Sequence, residues 1–171
     1  MKTKIILILF FLFTISLFGQ FKANKDGFSI KMESKEDKNV ICNFVLYYNK
    51  GEYFDMHITI GVNLDETNKP TKLVIAGFKQ GKFSQLTIPY EDNLNIGVSA
   101  SYSEKDKQHK IICYEDEIME EILYLLVDKY NSLQIYTRDT FYNFDIAKYN
   151  DKMTKNKKFN DAIMRLIYNP K

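Results

Sequence analysis

The sequence predicts an α+β fold: an antiparallel β-meander of six to nine strands, sandwich- or barrel-like, with two amphipathic helices. A mainly-β sandwich is the alternative. Three observations carry that prediction. Apolar residues recur with period two over most of the chain up to Tyr114, which lines one face of a pleated strand. Turn-forming clusters interrupt these runs at short intervals. The period lengthens to that of a helix in two places, about 115–130 and 157–168. Strands grouped together rather than alternating with helices argue for antiparallel pairing, with the helices covering one face or edge.

Taken in order, Gly27 to Glu33 alternates Phe28, Ile30 and Met32 against polar neighbours, and Val40 to Tyr48 is a longer strand after the charged turn Lys35 to Asn39. Asn49-Lys50-Gly51-Glu52 suits a hairpin, because Asn and Gly tolerate positive φ. Tyr53 to Leu64 has the cleanest alternation, with Phe54, Met56, Ile58, Ile60, Val62 and Leu64 opposed to Asp55, His57, Thr59 and Asn63. One face is buried and one is wet. Thr71 to Phe78 and Phe83 to Tyr90 are strands joined around Gly81. Pro89 places the second at an edge or an end, since proline cannot donate to the ladder. A strand through Leu94, Ile96, Val98, Ala100 and Tyr102 and another from His109 to Tyr114 close the meander. Glu115 to Tyr130 then carries Ile118, Ile122, Leu125 and Leu126 at helical spacing, with acidic residues where the helix dipole favours them. Leu133 to Arg138 and Phe141 to Ile146 read as two more strands, before a last helix with Phe159, Ile163, Leu166 and Ile167 on one face.

The N-terminus reads as an export signal. Lys2 and Lys4 precede an apolar run from Ile5 to Phe18, of signal-peptide length and short of the about 20 residues that a membrane-spanning helix needs. The expected cut follows Gly19 or Gln20, leaving residues 20–171 as one globular domain, a usual single-domain length. Neither cysteine lies near that junction, so a lipid anchor is not expected, and the compartment is periplasmic or extracellular. Loss of Lys2 and Lys4 cancels the formal charge of +2. A neutral domain lacks the basic face that nucleic acid rewards. Phe10, Phe11, Phe13 and Phe18 leave as well, yet the 12 Tyr remain to fill a core.

Cys42 and Cys113 are the two cysteines. In an oxidising compartment they suggest a disulfide contributing roughly 4 kcal/mol by loop-closure entropy. Two separately buried thiols are the other possibility. No C-x-x-C, Cys/His pair or H-E-x-x-H motif is present, so no metal or other cofactor is expected.

Candidate sites are few. Asp55 and His57 are two apart on a strand, hence on one face about 7 Å apart at the backbone, where a carboxylate could orient a general-base histidine. Thr59 shares that face but is a coincidental nucleophile, and a solvated polar face accounts for the same residues. His109 reads as an exposed histidine at a strand start. The acids from Glu115 to Glu121 lack the glycine and the alternation of a calcium loop and are explained by a helix start. Lys148, Lys152, Lys155, Lys157 and Lys158 form a basic run opposed by Asp151; outside the cell it would meet anionic lipid heads or acidic polysaccharide, if it is more than a solvated loop. Tyr47, Tyr53, Gln134 and Tyr136 belong to the wet side of the strands, where tyrosine can serve recognition.

These features favour an exported, non-catalytic binding protein that engages a protein or a cell-envelope component. Two alternatives remain: an exported hydrolase using Asp55 and His57, and an inhibitor or immunity-type protein acting on another exported protein.

Overall fold

The computed structural model describes residues 20–50, 54–79, 81–91, 97–127 and 131–168. The expected export segment 1–19 lies outside these residues, as do Tyr53 and the first part of the Leu94 strand. The chain forms β1 (Gln20–Asn24), β2 (Gly27–Glu33), β3 (Ile41–Lys50), β4 (Phe54–Val62), β5 (Lys72–Lys79), β6 (Lys82–Pro89), β7 (Val98–Ser103) and β8 (Gln108–Cys113). Helix α1 (Asp116–Val127), strands β9 (Ser132–Tyr136) and β10 (Phe141–Phe144), a 3-10 turn (Ala147–Tyr149), α2 (Asn150–Thr154) and α3 (Lys157–Tyr168) complete it. The α+β meander is therefore the observed fold, with its strands divided between two antiparallel sheets.

The larger sheet runs β1-β2-β3-β4-β8-β7 and the smaller β10-β9-β5-β6. Period-two alternation dictates the inner face of the first. Phe28, Ile30 and Met32 of β2, Cys42, Phe44, Leu46 and Tyr48 of β3, and Met56, Ile58, Ile60 and Val62 of β4 are all buried. Register pairs them in rows, Phe28 opposite Leu46 and Leu46 opposite Ile58. Phe28 stacks on Phe21 at 5.3 Å and tilts against Phe159 of α3 at 5.9 Å, so α3 closes the core over β2 and β3. Such aromatic pairs add about 0.5–1.5 kcal/mol beyond their buried area.

Two glycines make close approaches possible. Gly27 opens β2 at φ 151°, and a Cβ there would meet the Leu46 carbonyl oxygen at 2.0 Å. On β5, a Cβ at Gly77 would lie 2.7 Å from the Leu125 carbonyl oxygen, so α1 seats directly on the smaller sheet at that point.

The sheets are joined at one corner. Ser34 bridges to Phe144, and Lys35 N–H donates to the Asn143 carbonyl at 2.9 Å. The Glu36 carboxylate accepts from Asn143 N–H at 2.6 Å and from the Ser34 hydroxyl at 2.7 Å.

One strand is added and two expectations are corrected. Gln20–Asn24 is a strand although only Phe21 turns inward, because its backbone pairs with β2 through every residue. The lysine run is not a loop: most of it is helical, with Asn150 and Met153 anchoring α2 in the interior. The proposed Cys42–Cys113 disulfide is not formed; both thiols are free and buried. Cys42 sits opposite Val62 and Cys113 opposite Ile58, on the two sides of β4. Two strand spacings and a four-residue offset put the Cα atoms about 16 Å apart, against the about 7 Å that a bridge allows.

Candidate functional site

The Asp55–His57 pair exists as the alternation requires. His57 Nδ1 lies 3.4 Å from Asp55 Oδ1, and the Tyr47 ring stacks on the imidazole at 4.9 Å. Register explains the stack, since Tyr47 of β3 is the direct partner of His57. Asn49 donates weakly to the Tyr47 hydroxyl at 3.4 Å. The pair is open to water, with the Asp55 and His57 side chains 58% and 32% exposed. It stands on the outer sheet face between Val45, Thr59 and Tyr47. No described hydroxyl or thiol hydrogen-bonds the imidazole, so a base is oriented without a nucleophile beside it.

A second constellation lies at one end of the smaller sheet. There the β4–β5 loop, the end of β6 and the β9–β10 turn surround a polar cleft of about 540 Å³, a usual size for a small-ligand site. Thr71 holds the three together: its N–H donates to the Tyr136 carbonyl at 2.7 Å, and its carbonyl accepts from Tyr90 N–H at 2.9 Å. Lys69, Glu91, Arg138 and Asp139 bring both signs of charge to the walls, and Asn68 and Thr67 add neutral polar groups. Lys69 Nζ lies 5.4 Å from the centre of the Tyr90 ring, which forms part of the lining.

Behind Tyr90 is His109, and here the sequence expectation fails. His109 is 2% exposed, not a surface residue. Odd-numbered residues of β8 point inward with Ile111 and Cys113, and two tyrosines close over the ring. Tyr90 meets it edge-on at 5.4 Å and Tyr102 tilts against it at 4.8 Å. Nε2 lies 3.0 Å from the Asp65 carbonyl oxygen and Nδ1 lies 3.0 Å from the Tyr90 hydroxyl. A carbonyl only accepts, so Nε2 carries a proton; in the neutral ring Nδ1 then accepts from Tyr90. The lining tyrosine is thus held by a buried, fully engaged histidine.

The remaining candidates are spread out. Cys42 and Cys113 are sealed in the core, where burial pushes the Cys113 thiol up to about 12 and Cys42 up as well, so neither forms the thiolate that reactivity requires. Two acids of α1 are tied to neighbouring elements: Asp116 lies 3.6 Å from Arg165 of α3, and Glu121 accepts from the Ser84 hydroxyl at 3.5 Å. Among the described residues no three His, Cys, Asp or Glu side chains converge as metal ligands. Lys148, Lys152, Lys155 and Lys157 are exposed, whereas Lys158 lies partly buried over the Tyr48 ring at 5.2 Å. Tyr136 is on the wet face of β9, stacked on Phe141 at 5.5 Å with Lys72 over its ring at 4.6 Å and its hydroxyl donating to Gln134 at 3.0 Å. No described helix is long and apolar enough to cross a membrane.

Comparison with protein-family models, with curated proteins and with solved structures gave no match.

Proposed function

We propose that this chain is an exported, non-catalytic binding protein that engages its ligand through the polar cleft at the end of the smaller sheet. One observation carries the reading: three separate loops are tied by backbone hydrogen bonds at Thr71 around a preformed cleft. Part of its lining, Tyr90, is fixed from behind by His109. A site held in place before its ligand arrives spends less on ordering when it binds. The lining sets opposed charges and neutral polar groups beside the apolar surface of Pro70 and Tyr90, which suits a mixed ligand able to hydrogen-bond, such as a peptide or an envelope fragment. The expected export signal makes the cell envelope the natural source of that ligand.

The hydrolase alternative is supported by the 3.4 Å Asp55–His57 contact alone, and an inhibitor or immunity role would use the same cleft against a protein. The test is affinity capture from the envelope fraction, comparing the wild-type protein with an Arg138→Glu, Thr71→Lys variant that reverses one charge and fills the centre. Recovery of a partner by the wild type and its loss with the variant supports the cleft. A partner retained by the variant and lost by His57→Ala would overturn it.

A further inference from the structure

We infer that the opposite end of the smaller sheet is a membrane-surface contact, specific for anionic lipid. The β5–β6 hairpin turns there at Gly81, with φ 77°. Its sequence across the turn is Phe78-Lys79-Gln80-Gly81-Lys82-Phe83. Phe83 is 66% exposed, the most exposed large apolar side chain described, and it meets Phe78 edge-on at 6.0 Å. Lys82 beside it is exposed. The same end carries the last turn of α1, because the Leu125 carbonyl approaches Gly77; Val127 there is 43% exposed.

The basic run singled out in the sequence arrives at this end as well. Asn131, which follows α1, donates to the Asn150 side chain at 3.2 Å and to the Leu126 carbonyl at 2.8 Å. That bond places α2 beside the end of α1, with Lys148 and Lys152 exposed on either side of Asn150 and Lys155 just beyond. Asp151 is the acid among them. An exposed phenylalanine at a hairpin tip and a group of lysines are the two components of interfacial binding, apolar insertion and attraction to anionic head groups. Acidic polysaccharide would reward the lysines, but only a bilayer offers an apolar layer in which an exposed ring at a hairpin tip is buried, which is why lipid is the occupant. The cleft lies at the far ends of the same strands, so a docked protein would present it away from the bilayer.

The chain has no tryptophan, so Phe83→Trp places a single fluorescent reporter at the tip. The exported form is titrated with vesicles rich in phosphatidylglycerol and with neutral phosphatidylcholine vesicles. The expected result is a blue shift and co-sedimentation with the anionic vesicles only, weakening as salt rises. Phe83→Ser in the otherwise wild-type protein is expected to weaken binding about tenfold, from the lost burial of its ring. Lys82→Gln and Lys152→Gln are each expected to weaken it about fivefold. All three positions are exposed, and an unchanged melting curve confirms that the variants fold. Equal binding to neutral vesicles, or Phe83→Ser binding as tightly as wild type, overturns the inference. Binding to acidic polysaccharide that Lys152→Gln weakens and Phe83→Ser does not, without binding to vesicles, also overturns it and assigns the lysines to a glycan. Neither result bears on the cleft.

Discussion

Tyr90→Phe deletes one oxygen and asks whether His109 is held by two hydrogen bonds or only packed. In the wild type the Tyr90 hydroxyl and the Asp65 carbonyl each stand 3.0 Å from a nitrogen of a ring that is 2% exposed. The carbonyl keeps the proton on Nε2. Without the hydroxyl, Nδ1 becomes a buried acceptor that no other described residue reaches. Leaving such a group unsatisfied costs about 1–3 kcal/mol. The ring contact at 5.4 Å survives in phenylalanine, so nothing is added for packing. A loss of about 1–2 kcal/mol is expected, read from urea denaturation at constant m, or as a fall in Tm of about 2–8 °C for a domain of this length. His109→Leu removes Nδ1 itself, so in the double variant the orphan acceptor no longer exists. The double-mutant cycle should therefore show a coupling of about 0.5–2 kcal/mol. Strict additivity, or a Tyr90→Phe protein as stable as wild type, refutes the hydrogen-bonded geometry.

Three further outcomes follow from the packing and the charges. Gly77→Ala drives a methyl group to 2.7 Å from the Leu125 carbonyl oxygen and is expected to cost about 1–3 kcal/mol as α1 shifts; a neutral result in thermal denaturation would show that the helix is not seated there. Mass spectrometry of non-reduced protein, alkylated before and after unfolding, should find Cys42 and Cys113 both as thiols that react only after unfolding, and an unalkylated mass two hydrogen atoms lower would contradict the observed register. Burial works against ionisation of Glu36, but the Asn143 N–H and the Ser34 hydroxyl outweigh it and hold the carboxyl below its ordinary value of 4.5. That stability is present above the ordinary value and is lost as pH falls through the lower folded one. Profiles of Tm against pH for wild type and Glu36→Gln should converge on acidification and separate above about pH 4.5; parallel profiles would remove the assignment.

The parts of the fold legible in the sequence are those where one period governs a long run. β4 is the clearest case: Met56, Ile58, Ile60 and Val62 go inward and Asp55, His57 and Thr59 outward, and the same alternation that built the strand placed the Asp55–His57 pair on its wet face. α3 was legible for the same reason, through Phe159 and Leu166 on one buried stripe. β1 was not, because a strand stabilised by backbone pairing with β2, with only Phe21 turned inward, leaves almost no periodic trace. α2 was hidden by its shortness. Its two buried positions, Asn150 and Met153, are too few to show a helical period among lysines.

The cleft was illegible for a different reason. Its walls come from three turns, around Lys69, Glu91 and Arg138, brought together only when β5 pairs with β6 on one side and with β9 on the other. No spacing along the chain encodes that meeting. His109 offered the one available clue, since a strand that begins at Gln108 with Ile111 and Cys113 inward must also turn residue 109 inward. A buried histidine needs partners for both nitrogens, and the need points to whatever supplies them. Here it leads through Tyr90, so the parity of β8 connects the core to the cleft that the three turns build. Substitutions at Tyr90 therefore report on both: loss of its hydroxyl should lower stability through His109, and any accompanying loss of ligand would locate the binding site at the same ring.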